Sequence, residues 1–353
     1  MIRILTPAFR SILLLLLFFS FNGKAQVILP HEKELSHPDQ YLFQDIDFKV
    51  AVKKDSITLY GTLVMPKGNF DKLVIIVPGT GADTRYSHFL LTEALLQNNI
   101  AVYRYDDRGI GQSGGKYNAA NTTVTMLSVE LYSAIRRIKA LGYTSGKKLG
   151  LIGHSQGGMV TMGTMEMGAS VDFLIQWATA VEKYGAFIKY QILSGQNSFD
   201  DALKYNTTEE KFAVMDALHK VVEENRNDED WPLSKKLNKA SKKIGYDSSR
   251  YTRFPYLTLS SEKDFVRKNF EPAYQSLKIP TLYIVGIKDT FVSAEAETKV
   301  LESFNNDAIT IVKMDGLTHY LTQPDLTPET MYQIDPAAVR IILNWITEKV
   351  DTL

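Results

Sequence analysis

One serine in this chain is set for nucleophilic chemistry. Leu149-Gly-Leu-Ile-Gly153-His154-Ser155-Gln156-Gly157-Gly158 reads as an apolar strand, a Gly-x-Ser-x-Gly turn and the start of a helix. A serine hydroxyl is a poor nucleophile unless it is exposed and aligned with a base. A sharp strand-to-helix turn lifts Ser155 above a sheet and crowds the residues two before and two after it. Gly153 and Gly157 carry no side chain to clash there. The helix N-terminus adds N–H groups and a positive dipole end where negative charge would develop. His154 lies inside the motif, but neighbours on a tight elbow point apart, so it reads as a packing residue.

A base and an acid must then follow in chain order, each at or just beyond a strand end. The chain has six histidines. Of these, His319 alone comes after all the strand-like runs, in Asp315-Gly-Leu-Thr-His319, and it is the candidate base. Thr281-Leu-Tyr-Ile-Val285-Gly286-Ile-Lys-Asp289 places Asp289 after the preceding strand, as the acid that would fix the imidazole tautomer. Asp315 is a rival at a strand end of its own, although a turn-capping role is more ordinary so close to His319. Two backbone donors complete the chemistry: the N–H of Gln156, next to the nucleophile, and that of Thr80 in the loop Val77-Pro-Gly-Thr80-Gly81. No lysine with Walker spacing follows this glycine loop, so it does not read as a phosphate site.

These residues need a sheet to hold them. Phe48–Lys53 and Ile57–Met65 alternate and read as an antiparallel hairpin turning at Lys54-Asp55. Beyond them come short apolar runs at 73–77, 100–103, 149–152, 173–175, 281–285 and 309–312. Their uniform apolarity suits parallel strands covered on both faces. Helical spacing at about 86–98, 123–141, 156–168, 293–304 and 335–350 makes the pattern α/β, a mostly parallel, doubly wound sheet. Residues 181–275 break the rhythm. They are charged and mostly helical, with Phe212, Met215, Leu218 and Val222 on one stripe, and read as a helical cap insertion over the strand ends. Phe187, Tyr190, Trp231 and Tyr251 are aromatic residues of this insertion whose facing the sequence leaves open. The expected organisation is a leader at 1–25, an N-terminal extension at 26–47, and core segments at 48–180 and 276–353 around the insertion.

The leader has Arg3 and Arg10 about a basic start, an apolar run from Ile12 to Phe21, and Gly23-Lys24-Ala25 as a small-residue cleavage site. That run is short for a bilayer span, so cleavage after Ala25 and a secreted or periplasmic protein are expected, with a retained anchor as the alternative. Lysine plus arginine equal aspartate plus glutamate at 40 each. Loss of the three basic residues of the leader therefore leaves a net charge near −3. No basic block with interleaved aromatics points to nucleic acid, and Lys235-Lys236 and Lys242-Lys243 read as a solvated helix face. The count of zero cysteines excludes disulfides, thiolate nucleophiles and sulfur-ligated zinc.

With these residues in hand, the chain over about 48–350 resembles the α/β-hydrolase superfamily, and within it exported bacterial serine esterases. The resemblance rests on Leu59-Tyr-Gly-Thr-Leu-Val-Met-Pro66, Pro78-Gly-Thr-Gly81, Tyr105-Asp-Asp-Arg108-Gly-Ile-Gly-Gln-Ser113, the Ser155 elbow and Gly286-Ile-Lys-Asp289-Thr. It implies the α/β-hydrolase fold and a loop braced by an ion pair through Asp107 and Arg108. The oxyanion loop departs from the group, which usually shows Gly-Ser-Gly-Pro and then Asp-Arg where this chain has Gly79-Thr-Gly-Ala-Asp-Thr-Arg85. The expected activity is hydrolysis of a small-molecule carboxylic ester through an acyl-enzyme, with no cofactor. A peptidase or acyltransferase on the same machinery is the alternative, with Glu182, Glu209 or Glu210 as possible anchors of a peptide terminus, and a non-catalytic binding protein is the third reading.

Overall fold

The computed structural model describes residues 28–52, 55–196, 207–244 and 256–351. The expected leader with its cleavage point after Ala25, Lys54 of the hairpin turn and Tyr251 lie outside the described residues.

Eight strands form one sheet. A hairpin of β1 (Tyr41–Val52) and β2 (Asp55–Pro66) is followed by β3 (Lys72–Val77), β4 (Ile100–Tyr105), β5 (Lys148–His154), β6 (Phe173–Trp177), β7 (Thr281–Gly286) and β8 (Ile309–Met314). Their order across the sheet is β1-β2-β4-β3-β5-β6-β7-β8. The β1–β2 and β2–β4 pairs are antiparallel, and every later pair is parallel. The helices joining them are α1 (Phe89–Gln97), α2 (Val124–Ala140), α3 (Gln156–Glu166), α9 (Ala294–Ser303) and, closing the chain, α10 (Pro336–Val350). Between β6 and β7 the described residues add α4 (Phe187–Leu193), α5 (Thr208–Glu224), α6 (Asp230–Lys243), α7 (Ser260–Arg267) and α8 (Glu271–Ser276).

The uniformly apolar runs are buried for the reason their composition gives. Every residue of β3, β4, β6 and β7 is buried, because helices cover both faces of a parallel sheet. The edge strand β8 is only half-buried along most of its length. Helix ends follow their caps. Thr123 accepts from the Met126 amide, Ser293 from Ala296, and Asp335 from Ala337, with Pro336 in the first turn.

The expected hairpin is longer than its alternation indicated. Strand β1 begins at Tyr41, in the stretch read as an extension, and pairs with β2 out to Pro66. Residues 42–45 are all exposed, including Leu42 and Phe43, so no inward–outward alternation marks them. The expected Asp107–Arg108 brace is also partitioned. Arg108 pairs with Glu130 of α2, Asp107 accepts the amide of Asp83, and neighbouring Asp106 takes a bidentate pair from Arg85.

Candidate active site

Strand β5 delivers Ser155 to the carboxyl end of the sheet with φ 54° and ψ −120°. A non-glycine residue held there is strained, and the surroundings must fix it. They do. The Ser155 amide donates to the Trp177 carbonyl at 2.8 Å, and the Thr179 hydroxyl donates to the Ser155 carbonyl at 2.6 Å. The motif glycines answer to space. A Cβ on Gly157 would lie 2.2 Å from the Val77 carbonyl oxygen, and one on Gly153 2.6 Å from the Cα of Gly158.

Asp289 and His319 meet. Their Oδ2 and Nδ1 atoms lie 2.7 Å apart, with both side chains buried. The other carboxylate oxygen of Asp289 accepts the amides of Phe291 at 2.7 Å and Val292 at 2.9 Å, which fixes the plane of the group. The indole of Trp177 donates to the His319 carbonyl at 3.1 Å, and the Phe291 ring lies 4.6 Å from the imidazole. Asp315, the rival acid, is exposed on the turn after β8.

Ser155, His319, Gln156 and Thr80 all border one cavity of about 80 Å³. Its walls join apolar and aromatic side chains, Met159, Phe187, Phe265, Phe291, Tyr320 and Tyr332, to uncharged polar ones, Gln191 and His154 among them. Among the described residues no aspartate, glutamate, lysine or arginine lines it. Phe187 and Phe265 come from the segment between β6 and β7, so that insertion supplies one wall. Trp231 is 69% exposed and takes no part in it. The hydroxyl of Tyr190 donates to the Asp289 carbonyl at 2.7 Å.

His154, next to Ser155 in the cavity lining, is buried, its Nδ1 3.2 Å from Nε2 of His88. Burial pushes its pKa well below the usual histidine range, and the nearby His319 and His88 rings push the same way. Burial likewise lowers His88 to about 4. Both rings are therefore neutral at pH 7.

A larger opening, about 710 Å³, lies among the insertion helices and is lined by Glu182, Lys189, Asp216, Glu223 and other charged residues. It contains none of the residues with nucleophile, base or acid geometry, and Glu182 belongs to it rather than to the Ser155 cavity. Sequence reasoning missed Tyr332, His88 and Phe291 at the site. Tyr332 stands beyond His319 in a loop without a motif, and its only signal would have been an aromatic residue in the segment that leads into α10.

The family model described as serine aminopeptidase, S33, matches residues 68–324. No curated protein matches the chain in sequence. Among solved structures, an esterase of Pyrococcus furiosus shares 17% identity at a TM-score of 0.56, over 93% of this chain and 99% of that one. A thermophilic esterase of Thermogutta terrifontis aligns at 17% identity and TM-score 0.50 over 86% and 98% of the two chains. A bromoperoxidase of Bacillus anthracis aligns at 15% and 0.50 over 86% and 100%. Identities this low speak to the fold alone. With the family model spanning most of its length, the chain belongs to the S33 serine aminopeptidase-like family of the α/β-hydrolase superfamily.

Proposed function

We propose that this hydrolase cleaves neutral carboxylic esters through an acyl-enzyme on Ser155. The observation that carries the proposal is the 2.7 Å Asp289–His319 contact, whose imidazole borders the same small cavity as the Ser155 hydroxyl. In this reading Ser155 Oγ attacks the ester carbonyl while His319 Nε2 takes its proton. Asp289 holds the Nδ1 tautomer and stabilises the imidazolium that forms. The amides of Gln156 and Thr80 receive the developing oxyanion. Collapse of the tetrahedral adduct breaks the carbonyl–alkoxy bond, and the proton on His319 leaves with the alcohol. Water, deprotonated by the same imidazole, then releases the carboxylic acid and restores Ser155.

The family model names an aminopeptidase, and the pocket favours an ester instead. An aminopeptidase must hold an α-ammonium, and a buried cation needs a counter-charge. No charged side chain among the described residues lines the Ser155 cavity. Glu209 and Glu210 stand on the exposed first turn of α5, where Glu210 forms a capping box with Thr207. Export in a cleaved form follows the leader reading and belongs to this proposal, and no helix of the described residues is long and apolar enough to cross a membrane.

The test compares p-nitrophenyl acetate and butyrate with aminoacyl p-nitroanilides, in wild type and Ser155→Ala. Ester turnover should exceed anilide turnover by at least about 100-fold, and Ser155→Ala should remove roughly 10⁴- to 10⁶-fold of it. Anilides cleaved as well as esters would move the assignment to a peptidase. Undiminished ester turnover by the alanine variant would end it.

A further inference from the structure

The loop that carries Thr80 runs from β3 to α1 without a strand or helix of its own. Sheet hydrogen bonds therefore do not set its position, and an oxyanion donor must sit within about 0.5 Å of its working place to be effective. Three consecutive amides of this loop each end on a buried carboxylate. The Asp83 amide donates to Asp107 at 3.0 Å, the Thr84 amide to Glu32 at 2.5 Å, and the Arg85 amide to Asp106 at 2.9 Å. Two of these acids come from the turn after β4. The middle one comes from the segment ahead of the sheet.

That segment is fastened at several points. The second oxygen of Glu32 accepts the Thr84 hydroxyl at 2.8 Å and its own Leu29 amide at 3.0 Å. His31 Nε2 lies 2.8 Å from Asp83, whose other oxygen accepts the Tyr332 hydroxyl at 2.9 Å. Tyr332 is a wall of the Ser155 cavity, and its ring lies against that of His88, tilted by 35° with the centroids 4.0 Å apart. Further along, the amides of Ser36 and His37 donate to Glu93 of α1. Glu32 is 3% exposed.

From this we infer that residues 29–37 form a positioning strap for the oxyanion-forming loop, with Glu32 holding its backbone and His31 completing an Asp83–Tyr332 link to the cavity wall. The role rests on the ester-hydrolase reading given above and adds a segment outside the matched family region, which begins at residue 68. His31, Glu32 and Asp83 also have a spacing that could hold a cation. Their four carboxylate oxygens already accept protein donors, so the cluster closes a clamp and does not await an ion. Without Glu32, the Thr84 amide would be orphaned in a buried place and its hydroxyl would keep only the Tyr86 amide, and the loop would shift to reach other partners.

The experiment uses the full chain with Glu32→Ala, Glu32→Gln and His31→Gln. Kinetics on p-nitrophenyl butyrate are expressed per active site titrated with a fluorophosphonate. Hydrogen exchange of the 79–86 backbone is followed in parallel. Glu32→Ala should lower kcat by roughly 10- to 100-fold, the scale of an ångström-sized misplacement, with KM within about threefold. Glu32→Gln keeps an acceptor for the Thr84 amide and should recover most of the rate. Exchange across 79–86 should rise in Glu32→Ala and less in Glu32→Gln. A Glu32→Ala protein with kcat per titrated site within twofold of wild type and unchanged loop exchange overturns the strap. If Glu32→Ala does not fold, His31→Gln decides by the same two readouts. Wild type that neither turns over esters nor takes the label would remove the esterase reading, and the exchange measurement would still decide whether the strap holds the loop.

Discussion

The elbow of Ser155 at 153–158 and the Thr80 loop at 79–85 border the same cavity, and they are held in place by opposite means. The elbow is fixed within its own few residues. A strand ends, glycines accept contacts no Cβ could survive, and a helix starts. The loop is fixed from outside, by Glu32, Asp106, Asp107 and Tyr332, drawn from three remote segments. Local geometry tolerates changes elsewhere in the chain. Distributed geometry is only as good as its most distant anchor.

That contrast sets how much was legible. The elbow and the apolar strands were read directly, because five consecutive residues and a uniform burial pattern carry the signal. Asp289 and His319 were legible through their order at successive strand ends, and the structure brings these two within hydrogen-bond reach. Glu32 and Tyr332 were not legible. A hydrogen bond between residues 52 or 249 positions apart leaves no periodicity. The first residues of β1 were missed for a related reason, since an edge strand exposed over 42–45 shows no alternation. Arg108 was read with Asp107, yet its partner is Glu130 on the following helix.

The sharpest way to break the comparison is at the acid. Asp289→Asn should lower kcat by about 10⁴-fold by leaving His319 in the wrong tautomer. Asp315→Asn should stay within twofold, and equal losses from the two would undo the assignment. Next, Gly157→Ala puts a methyl 2.2 Å from a backbone oxygen. It should lower stability by about 1–3 kcal/mol and turnover by roughly 100-fold, read from a urea midpoint and from kcat. An unchanged midpoint would mean that the elbow is not locally constrained.

Tyr332→Phe probes the distributed side more gently. It keeps the ring against His88 and removes the hydroxyl bond to Asp83, worth about 1 kcal/mol. A roughly fivefold drop in kcat is expected, with stability lower by about 1 kcal/mol. No change in kcat would detach the cavity wall from the loop.

The smallest effect on turnover concerns the segment that follows Ala180 of the cavity lining. Glu297 accepts the amides of Val181 at 2.7 Å and Glu182 at 2.8 Å, just beyond pocket residue Ala180, and burial raises its pKa to about 8. The unfolded carboxyl loses its proton near the ordinary value of 4.5 and the folded one only near 8. The native state therefore loses stability as pH climbs between those values. Glu297→Gln keeps an acceptor and removes the titration. Its melting temperature relative to wild type should rise from pH 5 to pH 8 and then level off. A difference that is flat with pH would show that the carboxyl does not titrate in that window.

The central claim is that Ser155 becomes acylated with His319 as its base. Peptide mapping of protein treated with a fluorophosphonate tests it most directly. The account predicts one adduct per chain, on Ser155, formed at least about 100-fold more slowly in His319→Ala. An adduct on another serine, or an unmodified Ser155 peptide in protein whose ester turnover the reagent has abolished, would contradict it.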